Sequence, residues 1–399
     1  MTNAAGPSVQ ELPVADWVDA QDLGRDPYPI YERLRRESPV AWIPAVRKIL
    51  ISGFSGVLFA EQHPEVFTSQ FAQAHMITAM GGRPMIRKDD PDHALERAAI
   101  NPTLRPKRIK EVWAEVFEKN AQTYLDRLEG VGSGAADLNR DFAAPLAAKN
   151  LMDLIGFRDL DTETFTRWSA DFIAGAGNVL EKQSIWERCD ATREEAHAHL
   201  DELLPFLRAN ADSSLASLML SAGMSEESVR LNIFLIISGG MNEPQHMITN
   251  VALLLAEHPE FRPELSNLDE WSAVFDEAVR YYTPIGMVTR ETRAEIHVDG
   301  VAIPADSAVG LLLASANRDS TVFGEPDLYR VGRPEQRHLG FGSGTHMCAG
   351  KWAAEESVGR IAMPALYTRL PDLRVDDTRP TSWDGWAFRG MTALPVVWN

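Results

Sequence analysis

Residues 231–259, LNIFLIISGGMNEPQHMITNVALLLAEHP, constrain the fold of this chain more than any other stretch. Their apolar side chains recur on every side of a 3.6-residue repeat, so a helix built from them has no whole face to offer water. Such a helix has to run through a core, wrapped by others. The wrapping helices are in the same chain. IKEVWAEVFEKNAQTYLDRLEG and ATREEAHAHLDELLPFLRAN carry apolar residues three and four apart, the spacing of amphipathic helices that bury one face. Strands fit only at the margins. VAWIPAVRKILIS reads as a hairpin-like pair, AEIHVDGVAIPADSAVGLLL holds a Val-Asp-Gly-Val turn between strand formers, and TALPVVWN is strand-like again. No repeat, low-complexity tract or pooled prolines divide the chain. The expectation is one mainly helical domain over residues 1–399 with small sheets.

Charge narrows the partners. Lys and Arg number 39 against 57 Asp and Glu, a net charge of −18, which argues against a nucleic acid as the main partner. No apolar run is long enough to span a bilayer, and MTNAAGPSVQELPVADW lacks the basic end and apolar stretch of a signal peptide. A cytoplasmic protein without a membrane partner is expected. Two cysteines, Cys189 and Cys348, make no disulfide framework.

The two cysteines differ in their surroundings. Cys189 lies in an amphipathic run and reads as a small apolar filler. Cys348 stands in HLGFGSGTHMCAGKWAAEES, where Gly342, Gly344 and Gly350 let the backbone turn tightly and approach a flat object. Backbone N–H groups freed in such a loop can hydrogen-bond a thiolate sulfur. The run after Gly350 has helical periodicity, so the cysteine precedes a helix N-terminus that favours negative charge. No second cysteine lies near enough for a zinc cluster, and only His346 in the loop offers a base to a cysteine nucleophile.

FGSGTHMCAG resembles the haem-binding loop of the cytochrome P450 family, Phe-Gly-x-Gly-x-His-x-Cys-x-Gly, with every fixed position matched by Phe341, Gly342, Gly344, His346, Cys348 and Gly350. Other segments carry the same resemblance. EAVR is similar to the family's Glu-x-x-Arg pair, Glu277 and Arg280, tied to a later arginine that Arg333 matches. DDPDHALERAAINP is similar to its His-x-x-x-Arg helix, with His93 and Arg97, and YYTPIGMVTRET supplies Arg290. The resemblance runs along almost the whole chain. It implies a mainly α haem-thiolate fold, with a long central helix over haem b (iron protoporphyrin IX) and small peripheral sheets. Cys348 would be the axial iron ligand, and His93, Arg97, Arg290 and His346 would meet the haem propionates. The activity implied is that of a monooxygenase, which takes O2 and electrons from a ferredoxin or a flavin/iron-sulfur reductase.

One departure is informative. Where the family's central helix usually has Ala/Gly-Gly-x-Asp/Glu-Thr, this chain has GGMNEP: Gly239 and Gly240 fit, Asn242 replaces the acid and Glu243 the threonine. Pro244 follows and should widen a kink. Glu243, with Asn242 and Gly240, is expected to serve oxygen chemistry in place of the usual alcohol, and to allow turnover with hydrogen peroxide. The Glu-Pro variant and the WDGWAFRGMTALPVVW ending resemble bacterial aromatic O-demethylases of the guaiacol type, which implies a small methoxyaromatic substrate held by Phe172, Phe388, Met241 and Val288. Met76, Met80 and Met85 argue for a softer, larger pocket. Hydroxylation of a terpenoid, steroid or fatty acid, a peroxygenase and a haem-based sensor are the alternatives. Arg105, Lys107, Arg108 and Lys110, with Arg337 and Lys351, are expected to receive an acidic electron donor.

Overall fold

The structure, a computed structural model, describes residues 11–71, 74–178, 180–334 and 337–399. Its axis is the apolar segment. Glu226–Glu257 forms a 32-residue helix, here α4, about 48 Å long at 1.5 Å per residue. Ser225 caps it by accepting the Ser228 N–H, and Glu226 and Glu227 meet the positive end of its dipole. The helix runs on through Pro244 without ending. Around it pack α2 (Ala144–Ile155), α3 (Thr162–Ala176) and α5 (Leu268–Tyr281), while α1 (Asp92–Ile100) lies nearer the N-terminus. Leu146, Leu151, Phe172, Phe234, Ile237, Val251 and Phe275 belong to one buried cluster between these helices.

A five-stranded sheet flanks the bundle: β1 (Val40–Ile43), β2 (Lys48–Ile51), β3 (Phe67–Thr68), β4 (Val288–Thr292) and β5 (Ala308–Leu311), in the order β1-β2-β5-β4-β3. The β2–β5 pair is parallel and the others antiparallel. Pairing Arg290 with Val309 fixes the register that carries Arg290 into the interior. Ile296–Val298 and Val301–Ile303 form the expected hairpin. Asp299 and Gly300 both have positive φ (49° and 80°), as a tight two-residue turn demands. A last hairpin joins β6 (Ser382–Asp384) to β7 (Gly390–Ala393). Among the described residues no helix is long and apolar enough to cross a membrane.

Candidate active site

The cysteine loop is closed by its own backbone, the Cys348 N–H donating to the Phe341 carbonyl at 2.8 Å. Gly342 and Gly344 take positive φ (67° and 63°), and a side chain on Gly344 would collide with the Glu61 backbone. The Glu61 carboxylate pins the loop from outside by accepting the Ser343 N–H at 2.7 Å. The thiol stands deep in the protein, yet Cys348 is an exposed residue, so it borders an internal space. Burial pushes its pKa up, while the Gly350 and Lys351 backbone N–H groups, hydrogen-bonded to the sulfur, pull it down. Helix follows from Lys351, and Phe341 shields the loop between Phe275 and the Lys351 ammonium.

Opposite the thiol lies one face of α4. Leu235, Ile236, Glu243 and His246 are only half-buried and Gly239 is exposed, in the middle of a helix otherwise enclosed. Their spacing places all five on one side of the helix. A Cβ on Gly239 would meet nothing within 4 Å, so this face opens on free volume. Glu243 Oε2 is buried without a hydrogen-bond partner, and burial raises the carboxyl to a pKa of about 8. A charge on Glu243 would raise the Cys348 thiol further, so the two groups lie near each other.

The neighbours of Glu243 do not share that space. Gly240 faces α2, where a Cβ would stand 3.0 Å from Leu151. Met241, with 1% exposure, points to the opposite side of the helix. Asn242 donates to Ser169 Oγ on α3 at 2.8 Å, and that hydroxyl donates to the Ile237 carbonyl. At about 100° per residue Gly240 and Met241 turn away from Gly239, while Asn242, three residues on, stays at the edge of its face with its amide engaged by Ser169. Phe172 is likewise withdrawn, fully buried with its ring 5.2 Å from that of Phe234. Phe388 and Val288 stay half-buried, Phe388 bridging Ile285 just before β4. Leu235 and Ile236 were not anticipated, although helical spacing from Glu243 points to both. Glu61 carries no sequence signal.

The basic residues converge at one edge. The His93 and His346 rings lie 4.1 Å apart, and His93 Nδ1 is 3.3 Å from Asp90. Arg97 donates to the Met347 carbonyl at 3.0 Å, next to the cysteine. Arg290 pairs with Glu61 at 2.9 Å. Burial first, then Arg290, His93 and Arg97, drives His346 down to a pKa of about 2. A thiol on one side, an aliphatic face with a carboxyl on the other and a cationic edge fit haem, whose iron takes sulfur and whose two carboxylates need cations. Beneath, Glu277 binds Arg280 at 2.7 Å and Arg333 at 3.0 Å, all three buried at their charged ends. Among the surface cations, Arg105, Lys107, Arg108, Lys110 and Arg337 are exposed. Lys351 is not. Only 6% exposed, it packs its ammonium over Phe341 and Trp352 and 4.0 Å from Asp276, which removes it from any docking face.

A family model described as cytochrome P450 matches residues 178–359. The 20-oxo-5-O-mycaminosyltylactone 23-monooxygenase of Streptomyces fradiae is 31% identical over 330 residues, 80% of this chain and 76% of that protein. The steroid C26-monooxygenase of Mycolicibacterium smegmatis is 27% identical over 354 residues, 87% of this chain and 86% of that one. The crystal structure of P450BioI with hexadec-9Z-enoic acid ligated acyl carrier protein superposes with a TM-score of 0.86 at 24% identity, covering 95% of this chain and 100% of that one.

Proposed function

This chain belongs to the cytochrome P450 family, and we propose that it hydroxylates an extended hydrophobic substrate of the steroid or lipid class. It is a haem-binding monooxygenase, an oxidoreductase, in the haem-thiolate fold. The bound haem supplies activation of O2 and insertion of one oxygen atom into a C–H bond. The protein's part falls to named residues of a single catalytic domain. Cys348 holds the iron, with Gly350 and Lys351 N–H groups steadying the thiolate. Arg97, Arg290, His93 and His346 hold the carboxylate edge. Glu243, neutral at pH 7, keeps a proton on a carboxyl near the thiol.

The observation that carries the substrate class is the lining of α4. Leu235, Ile236 and Gly239 present aliphatic surface and free volume, while Phe172, the aromatic wall a small flat ligand would use, is enclosed against Phe234. An aliphatic wall suits a bulky or extended apolar body. The named relatives act, by their names, on a steroid and a mycaminosyltylactone. Demethylation of a methoxyaromatic, the reading that the Glu-Pro variant suggests, has no such relative behind it. An electron donor of the ferredoxin or flavin/iron-sulfur type and a cytoplasmic location complete the reading.

Spectral titration separates these. The dithionite-reduced protein with carbon monoxide should give the long-wavelength Soret band of a thiolate complex. Testosterone-type steroids or long-chain fatty acids should shift the ferric spin state at lower concentration than guaiacol. Tighter binding of guaiacol would overturn the steroid or lipid assignment and favour demethylation.

A further inference from the structure

Arg87 is a half-buried cation that no family motif points to. It follows Met85 and Ile86 in the segment before α1, and its Nε is buried with no hydrogen-bond partner. Its Nη1 reaches the Thr289 carbonyl at 3.4 Å, the oxygen that also accepts Arg290 Nη1 at 2.9 Å. Two guanidinium groups therefore converge on one carbonyl inside the protein. Like charges so placed repel at low dielectric and call for an anion between them. The carboxylates nearby are already engaged. Glu61 binds Arg290 and the Ser343 N–H. Asp89 binds Arg293, Thr68 and Ser69. Among the described residues Arg87 has no ion pair; its Cζ lies 5.0 Å from the Phe71 ring, and its charge helps to lower the Lys48 ammonium pKa. Burial, then Arg290, lowers its pKa to about 9.

Charge counting identifies the missing anion. His93 and His346, their rings 4.1 Å apart at this edge, can donate hydrogen bonds to a carboxylate. Glu61 neutralises Arg290, which leaves Arg97 as one unpaired cation at this edge. A haem brings two carboxylates, and Arg87 is the second unpaired cation. We infer that Arg87 is a haem-propionate ligand, placed by the pre-α1 segment beside Arg290 on β4. The inference rests on the haem-thiolate reading and adds a residue to it.

The experiment compares haem release from the holoenzyme to excess apomyoglobin for wild type, Arg87→Gln, Arg87→Lys and Arg97→Gln. Each protein is loaded with either protohaem or its dimethyl ester. Arg87→Gln should release protohaem roughly tenfold to a hundredfold faster, the value of one charge-assisted hydrogen bond. Arg87→Lys should recover part of that loss. With the dimethyl ester, wild type and Arg87→Gln should release at the same rate, because the partner charge is gone from the cofactor. Protohaem release from Arg87→Gln at the wild-type rate, with Arg97→Gln still accelerated, overturns the inference and leaves the haem reading standing. Equal acceleration of both cofactors overturns it too, since a general packing defect does not distinguish a carboxylate from its ester. Absence of a thiolate–CO band in the wild type would instead defeat the haem-thiolate reading itself.

Discussion

At the scale of single residues, the proposed chemistry rests on two side chains, Cys348 and Glu243. Cys348→Ala should lose the thiolate–CO band and O2-dependent turnover, because it removes the thiolate that would hold the iron. Cys189 is fully buried, donating to the Asp171 carbonyl at 3.2 Å, and Cys189→Ala should leave the spectrum unchanged. Glu243 gives a pH-dependent counterpart. Its folded pKa of about 8 lies above the ordinary carboxyl value of 4.5, because burial disfavours the charge. The folded protein therefore binds a proton that the unfolded chain releases near pH 4.5, and stability falls as pH rises from there to about 8. Glu243→Gln removes that dependence. Its melting temperature should exceed that of the wild type at pH 8 and match it near pH 4.5, measured by calorimetry on the holoenzyme. In turnover, the wild type should decline as pH passes 8, and Glu243→Gln should lack that limb. A wild-type decline kept by the variant would place the titrating group elsewhere.

At the scale of elements, α4 separates structure from function by helical phase. Gly239 and Gly240 are adjacent in sequence, yet one faces free volume and the other faces Leu151. Gly240→Val forces its Cβ into a contact already at 3.0 Å, and overpacking of this kind costs about 1–3 kcal/mol. Its melting temperature should fall. At Gly239 a Cβ meets nothing within 4 Å, and Gly239→Leu replaces a poor helix former, a gain of roughly 0.5–1 kcal/mol in helix propensity. The fold should hold while the distal space shrinks, so steroid-induced spin shifts should weaken more than those of a small ligand. Equal weakening for both ligands would mean that Gly239 does not border the substrate. The Glu277–Arg280–Arg333 cluster acts at the same scale. It joins α5 to the segment before the cysteine loop, and the Arg280 guanidinium also donates to the Asn317 and Leu328 carbonyls.

At the scale of the whole molecule, a chain of net charge −18 gathers exposed cations at Arg105, Lys107, Arg108 and Lys110, just beyond α1. Lys107 is 86% exposed and only 3.7 Å from Glu111, an ion pair that solvent weakens, so its charge is free to attract a donor. Reversing Lys107 and Arg108 to Glu should slow reduction by an acidic donor roughly tenfold at low ionic strength. The difference should fade above about 0.1 M salt, where the Debye length is near 10 Å. Stopped-flow reduction across a salt series reads this directly, and a salt-independent rate for both proteins would remove the cluster from the docking face.

Sequence alone determined what is local or periodic. The glycines around Cys348 specify a turn, the apolar run specifies a buried helix, and Asp299-Gly300 specifies a hairpin, because each depends on backbone preference or on spacing along one element. Tertiary structure decided what depends on which face meets which. Met241, Asn242 and Glu243 are consecutive, but the rotation of α4 against α2 and α3 sends Met241 into the core, ties Asn242 to Ser169 and leaves Glu243 near the thiol. Phe172 needed the position of Phe234 to be recognised as core, and Lys351 needed Asp276 and two aromatic rings to be seen as a packed cation. Glu61 and Arg87 lie in segments remote from any motif. They meet Arg290 only because β4 is held in the sheet while the helix that carries Glu61, Phe54–Gln62, packs beneath the cysteine loop. A pairing between side chains far apart in the chain leaves no periodicity in the sequence, so only the folded arrangement reveals it.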